Sequence, residues 1–443
     1  MGVSERISRD LALVRSEEFA AMCRTRPQDF TRRRKLPCDR LAETLLARKG
    51  RTLSIELRDV RREVGVNVSK TGYLKARSKL NPKALLELAR NHAASVYADG
   101  DFETLAGMVV VAVDGSSALV PTNEETLALY GNASGSGRPQ ATIGVSGAHD
   151  PLTSQIIDVS LHRGSFDERA QVMGHLLVAE RVTHGMPLLL LGDRGYPSLL
   201  LMAQLECAGA RYLLRCNSYF LRPEFRAAEA AGGDLWVDVG LTRKRLRKTA
   251  LSDPAAADAL EALGTLRVRF ALVDIGGDSP ELVVTNVPED VLPHDGLKAA
   301  YWDRWPIETC FEFMKDRLQM ENFTGTRPVL IEQDVYATAY LTNVAFDLAR
   351  EAEAEARDRI AGSGTSYKHE MAVNRTFAIG ALKEDLYRLI LADEVERGAL
   401  MAALVEEVSR QLVPIRPDRP TYSRDGLSSP RAGKYSNTHR RAF

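Results

Sequence analysis

Three acidic residues far apart in the chain, Asp114, Asp193 and Glu308, stand in surroundings that suit metal-assisted chemistry. Asp114 closes the apolar run "GMVVVAVDGS" and Asp193 closes "PLLLLGDRGYPS". Both are expected at the carboxyl ends of buried strands, where open α/β sheets place their ligands. Glu308 falls in "YWDRWPIETCFEFMK", residues 301–315, which reads as the start of an amphipathic helix. At 100° per residue, Glu308, Glu312 and Lys315 fall within about 40° on one face. Ile307, Cys310, Met314 and Leu318 take the other side, and Pro306 places the helix start near 303–306. Carboxylates gathered in one pocket repel, and a shared Mg²⁺, with Mn²⁺ as substitute, relieves that repulsion through hard oxygen ligands. Paired cations then suit in-line phosphoryl displacement. Each piece also has an ordinary reading: a strand-end Asp caps turns, and an acidic helix face pairs with lysine at i+3 or i+4.

The elements that must position these residues follow a pattern change near residue 106. Before it, "LAETLLARKG" and "ALLELARNHAASVYA" carry helical periodicity. "VNVSKTGYLKARSKL" reads either as a recognition helix with its basic residues facing outward or as a surface helix. After it come strands, "ATIGVSGAHDPLTSQIIDVSLHRG" giving two around Asp150-Pro151, then "FDERAQVMGHLLVAERVTHG" as a helix stopped by Gly185. The resulting order β, β, β, α, β, α, β builds a mixed sheet with helices on its faces. Residues 216–290 break the alternation with the basic run "TRKRLRK" and two strand-like segments around Gly276-Gly277. From 296 to 410 the chain reads as helical, and 416–443, rich in Pro, Ser and basic residues, as an extended arm.

Composition is that of a globular chain of 443 residues, 44% hydrophobic and 27% charged. No apolar run approaches the ~20 residues of a membrane span, and the charged start does not read as a secretory signal, so a cytoplasmic place is expected. Five scattered cysteines without a C-x-x-C pair fit free thiols rather than disulfides or zinc. The net charge of zero conceals an imbalance: residues 1–100 carry 22 Lys and Arg against 12 Asp and Glu, leaving 37 against 47 for the rest. A basic end of this kind, with runs such as "RTRPQDFTRRRKL", suits a polyanion such as DNA. No phosphate-binding loop, zinc-protease pair or nucleophile elbow is present to favour an ATP-driven, proteolytic or esterase function.

The spacing Tyr301, Arg304, Glu308, Lys315, together with "DGS" at 114–116 and "DRGY" at 193–196, resembles the insertion sequence four family of DDE transposases. The resemblance runs from about 106 to 350, with a fainter echo in "FTRRRKLP". It implies an α/β, RNase H-like core with a largely β insertion between the second Asp and the Glu, and intervals of 79 and 115 residues leave room for one. The implied plan is a helical DNA-binding region (1–105), the core's first part (106–215), the insertion (216–290), the core's second part with the Glu helix (291–350), a helical C-terminal region (351–415) and a basic arm (416–443). It implies Asp114, Asp193 and Glu308 as metal ligands, the family spacing choosing Glu308 over Glu312. Tyr301, Arg304 and Lys315 are implied to hold DNA phosphates, and Arg243, Lys244 and Arg245 in the basic run are further candidates for DNA. Trp236 is the candidate to hold a flipped base if hairpin ends form. The expected activity is cleavage at element ends and strand transfer, with terminal inverted repeats and target DNA as partners and a homodimer in the DNA complex. A Mg²⁺-dependent nuclease without strand transfer, or a domesticated DNA-binding protein without catalysis, are the other readings.

Overall fold

Continuous apolar runs bounded by turns form strands buried on both faces, and the two that end in Asp114 and Asp193 do so here: Val109–Leu119 (β1) has its first five residues buried, and Leu188–Gly192 (β4) is buried throughout. A computed structural model describes residues 1–32, 35–132, 139–217, 219–273, 281–302, 306–318, 320–364 and 366–415, with backbone alone at 302, 306, 308, 309, 316 and 317. The remaining strands of the large sheet are Thr142–Asp150 (β2), Gln155–Arg163 (β3), Arg211–Cys216 (β5), Asp234–Gly240 (β6), Thr265–Val273 (β7) and Glu281–Thr285 (β8).

The eight strands lie in the order β3-β2-β1-β4-β5-β8-β7-β6. β1, β2 and β3 pair antiparallel, and β1, β4 and β5 pair parallel. This is a mixed sheet flanked by helices, the RNase H-like arrangement. The helices Arg169–Val182 and Leu199–Cys207 supply the crossovers that parallel strands require, and they pack on Val111, Val113, Leu188 and Leu190 in one apolar core. The Arg169–Val182 helix is stopped as expected by Gly185, whose φ of +79° lets its N–H reach the Glu180 carbonyl at 2.8 Å.

Within 216–290, β6, β7 and β8 add antiparallel strands to the β5 edge of the same sheet, and the helices Arg222–Ala230, Arg247–Ser252 and Pro254–Leu263 lie between them. The expected turn at Gly276-Gly277 lies outside the described residues.

The chain divides into two compact units, Ala89–Phe313, which holds the sheet, and Met1–Leu88 with Met314–Phe443. The second is helical. Its longest element, Pro328–Ser363, is one unbroken helix through position 350, buried on nearly every residue from Leu330 to Ala349. The segment "VNVSKTGYLKARSKL" forms the helix Lys70–Arg77, but not all its basic residues face outward as expected. Lys70 and Lys75 are exposed, whereas Arg77 is fully buried and bonds Asp334 at 2.6 Å, Gln333 at 2.9 Å and the Leu330 carbonyl at 2.9 Å. Lys75 and Arg77 are two positions apart, about 200° round the helix, so one points to solvent and the other inward. The expected arm at 416–443 lies outside the described residues. Among the described residues no helix is long and apolar enough to cross a membrane.

Candidate active site

Strand register brings the two aspartates together. The last pair of the β1–β4 ladder is Ala112 with Leu191; Asp114 lies two residues beyond the one and Asp193 two beyond the other, on the same side of the pairing. Val111, Val113, Leu188 and Leu190 face one apolar core, so alternation puts Asp114, with Ala112, and the Asp193 position, with Leu191, on the opposite face. β5 continues the row: Gly192 lies opposite Leu214, and one step on Asp193 meets Arg215. The Arg215 guanidinium is 3.6 Å from Asp193 Oδ1.

On its other edge β1 sets Asp114 opposite Gly147 of β2. A Cβ at Gly147 would stand 2.9 Å from Cζ of Phe311, so the bare glycine lets the Phe311 ring lie directly on the sheet beside Asp114. Phe311 belongs to the helix Pro306–Glu312, which packs on β1; the expected start near 303–306 falls partly outside the described residues. Glu308 is one turn before Phe311 on this helix, about 60° round from it, and Glu312 is about 100° round and exposed. The helix thus carries the Glu308 position across the face from which Asp114 projects; the Glu308 side chain lies outside the described residues.

Hydrogen bonds fix the two described acids. The Gly115 N–H donates to Asp114 Oδ1 at 2.9 Å. The Tyr301 hydroxyl donates to Asp193 Oδ1 at 3.3 Å, and the Tyr196 N–H closes a turn on the Asp193 carbonyl at 2.9 Å. Tyr301, on the helix Gly296–Trp302, is fully buried, so its hydroxyl serves a carboxylate of the site rather than a surface phosphate. Glu281 takes Arg215 at 2.5 Å and Arg194 as well, and the Arg215 bond, aided by Arg194, pulls its carboxyl down to about 2.

The other expected residues fall elsewhere. Arg304 lies outside the described residues. Lys315 is half-buried in a π-helical turn, Phe313–Arg317, so the α-helix does not continue the Glu308 and Glu312 face to it: the wider i to i+5 turn breaks the uniform 100° step. Trp236 is on β6, at the far edge and four strand spacings from β4, roughly 19 Å, with Arg267 set 5.7 Å from its ring centroid. Arg243 is paired with Asp258 at 2.5 Å and Arg245 with Glu224 at 2.5 Å, while Lys244 is exposed. Sequence reasoning missed Arg215, although "RYLLRC" is a third apolar run closed by a charged residue, after those ending at Asp114 and Asp193.

Among the described residues no group of three or more His, Cys, Asp or Glu side chains is arranged to hold a metal ion. Asp114 and Asp193 nonetheless offer donors of the right chemistry: hard carboxylate oxygens on β1 and just past the adjacent β4, with Asp193 38% exposed and one guanidinium near it.

The family model described as Transposase DDE domain matches residues 105–344, more than half of the chain. No curated protein sequence matches it. Among solved structures, the chain is similar at 10% identity to a chain of the cryo-EM structure of the piggyBac transposase synaptic complex with hairpin DNA. The match covers 96% of this chain and 88% of that one, with a TM-score of 0.42.

Proposed function

Because the chain belongs to the Transposase DDE domain family, we propose that it is an insertion-sequence transposase of the insertion sequence four type, cutting double-stranded DNA at element ends and joining the freed ends to target DNA. Asp114, Asp193 and Glu308 hold Mg²⁺, or Mn²⁺ in its place. The observation that carries this reading is the placement of Asp114 on β1 and of Asp193 just past the adjacent strand β4, with the helix bearing Glu308 seated beside Asp114 through Phe311 and Gly147. Paired divalent cations, when bound, activate a water or a 3′-hydroxyl and stabilise the leaving oxygen.

The chain's own residues orient that site. Tyr301 holds the Asp193 carboxylate from within the core, and the Gly115 N–H holds that of Asp114. Arg304 and Lys315 grip phosphates near the cut, and the exposed Lys70, Lys75 and Lys244 add phosphate contacts. Cut-and-paste through hairpin ends, and two copies acting on paired ends in the cytoplasm, belong to the same proposal. Trp236 is not assigned to a flipped base, because its β6 position is about 19 Å from β4.

The test is incubation with DNA carrying the element's ends and Mg²⁺, read on a denaturing gel for nicked, hairpin and joined products. Asp114→Asn, Asp193→Asn and Glu308→Gln should each abolish cleavage while leaving DNA binding largely intact. Cleavage retained in all three dismisses the site, and cleavage without joined products favours a nuclease.

A further inference from the structure

On the sheet face opposite the aspartates lies a fourth carboxylate, Glu168. Successive strand residues point to opposite faces, so Gly115 is turned away from the carboxylate of Asp114. A Cβ built at Gly115 would stand 2.3 Å from Cδ and 2.3 Å from Oε1 of Glu168: the carboxylate lies directly on the bare α-carbon. Its other oxygen, Oε2, accepts from the Tyr196 hydroxyl at 3.1 Å. Tyr196 is buried in the core with Val111 and Val113 and folds back over Gly192, where a Cβ would meet its own Cβ at 3.0 Å.

Glu168 directly precedes the helix Arg169–Val182, with φ −62° and ψ −36°, and its side chain is free of the first turn. Here it makes no cap hydrogen bond. The carboxylate reaches instead to the two segments that carry Asp114 and Asp193: Gly115, on β1, directly follows Asp114 and donates to it, and Tyr196 closes the turn that begins at Asp193.

We propose that Glu168 is a positioning residue for the metal site, a brace beneath the sheet that ties the "DGS" and "DRGY" segments together and so fixes the spacing of Asp114 and Asp193. This rests on the assignment of those two acids as metal ligands. Glu168 itself is not a ligand: it lies under the opposite face, and no group of three acids able to hold a metal occurs among the described residues.

Outer partners of metal ligands typically contribute 10–100-fold to metal affinity. The probe is Mn²⁺ binding to the full chain without DNA, followed by the electron paramagnetic resonance signal of free Mn²⁺, with a thermal melt of each variant. Glu168→Ala and Tyr196→Phe should each weaken Mn²⁺ binding roughly tenfold. Glu168→Gln keeps an acceptor oxygen of the same reach and should recover most of what Glu168→Ala loses. If Glu168→Ala fails to fold, Tyr196→Phe decides, since it removes the hydroxyl alone. Wild-type Mn²⁺ affinity in a folded Glu168→Ala or in Tyr196→Phe overturns the brace, as does Glu168→Gln behaving like Glu168→Ala. Asp114→Asn and Asp193→Asn serve as controls: if they too bind Mn²⁺ as the wild type does, it is the site assignment that has failed.

Discussion

Gly147→Ala tests whether the helix Pro306–Glu312 is held against Asp114 by direct packing on the sheet. The new Cβ would lie 2.9 Å from Phe311 Cζ, and ordinary contact begins near 3.4 Å, so ring and strand must separate by at least about 0.5 Å. Phe311 is only 6% exposed, so its ring has no open space to swing into and the displacement passes to the helix backbone. A misplacement of 1 Å in a reacting constellation can cost on the order of 100-fold. Half that shift predicts a loss of roughly tenfold in cleavage rate, and the overpacking itself costs about 1–3 kcal/mol of stability. Single-turnover cleavage of end-bearing DNA at saturating Mg²⁺ measures the rate, and a mobility-shift titration should show unchanged DNA affinity. Phe311→Leu supplies the control, because the shorter side chain leaves room for the alanine. Adding Gly147→Ala to Phe311→Leu should therefore cost far less than adding it to the wild type. A well-folded Gly147→Ala protein that cleaves at the wild-type rate, or a double variant whose losses simply add, refutes the argument.

Two further outcomes follow from buried charges. In the helical unit, burial pushes the Asp334 carboxyl up, and the guanidiniums of Arg48 and Arg77 more than reverse this, holding it below the usual range. Arg77→Met removes one partner from a fully buried pair and should destabilise the protein by about 3–5 kcal/mol in urea unfolding, whereas exposed Lys75→Met should change stability by less than about 0.5 kcal/mol. Equal effects at the two positions would show that Arg77 is not locked as described. In the sheet unit, burial raises Asp150 to about 6 against the opposing hydrogen bonds of Thr153, Leu152 and Tyr97. Between about pH 4 and 6 the folded state then keeps a proton that the unfolded chain has released, so this group's contribution to stability falls as pH rises through that window. Asp150→Asn does not titrate, and its stability relative to wild type should improve by up to about 3 kcal/mol from pH 4 to pH 6; a flat difference across that range refutes the assignment.

The parts of the site that could be read in the sequence are those set by local pattern. An apolar run ending in an acid is expected to end a strand there: Asp193 does directly follow β4, whereas β1 runs on past Asp114 to Leu119, because its partner β2 continues the pairing beyond the apolar run. Pairing is a different kind of information. That β4 lies beside β1, and at the register that aligns Asp114 with Asp193, depends on crossovers through two helices and on the shared apolar core, none of which has a local signature. The same holds for Arg77, whose charge reads as a solvated stripe because its partner Asp334 is 257 residues away. Residues 216–290 show the limit from the other side. The strand-like segments were legible, but the Ala-rich stretch around 254–263 is a helix in the structure, and where the strands attach is set by the open edge of β5.

The register also explains why a guanidinium can stand in this row without closing the site. Arg215 is next to Asp193 by strand position, and an unrestrained arginine there would form a two-bond pair with the carboxylate and occupy its oxygens. Glu281, reached from β8 on the far side of β5, takes Arg215 at 2.5 Å and leaves it 3.6 Å from Asp193. Arg194, the residue after Asp193, turns to the same Glu281. Two cations adjacent to Asp193 are thus drawn toward a carboxylate of their own, and the candidate site keeps a positive surround without losing the oxygens a metal would need. That charge balance places Glu281 and Arg215 beside Asp193, and it arises because the sheet continues past β5 into the strands of 216–290.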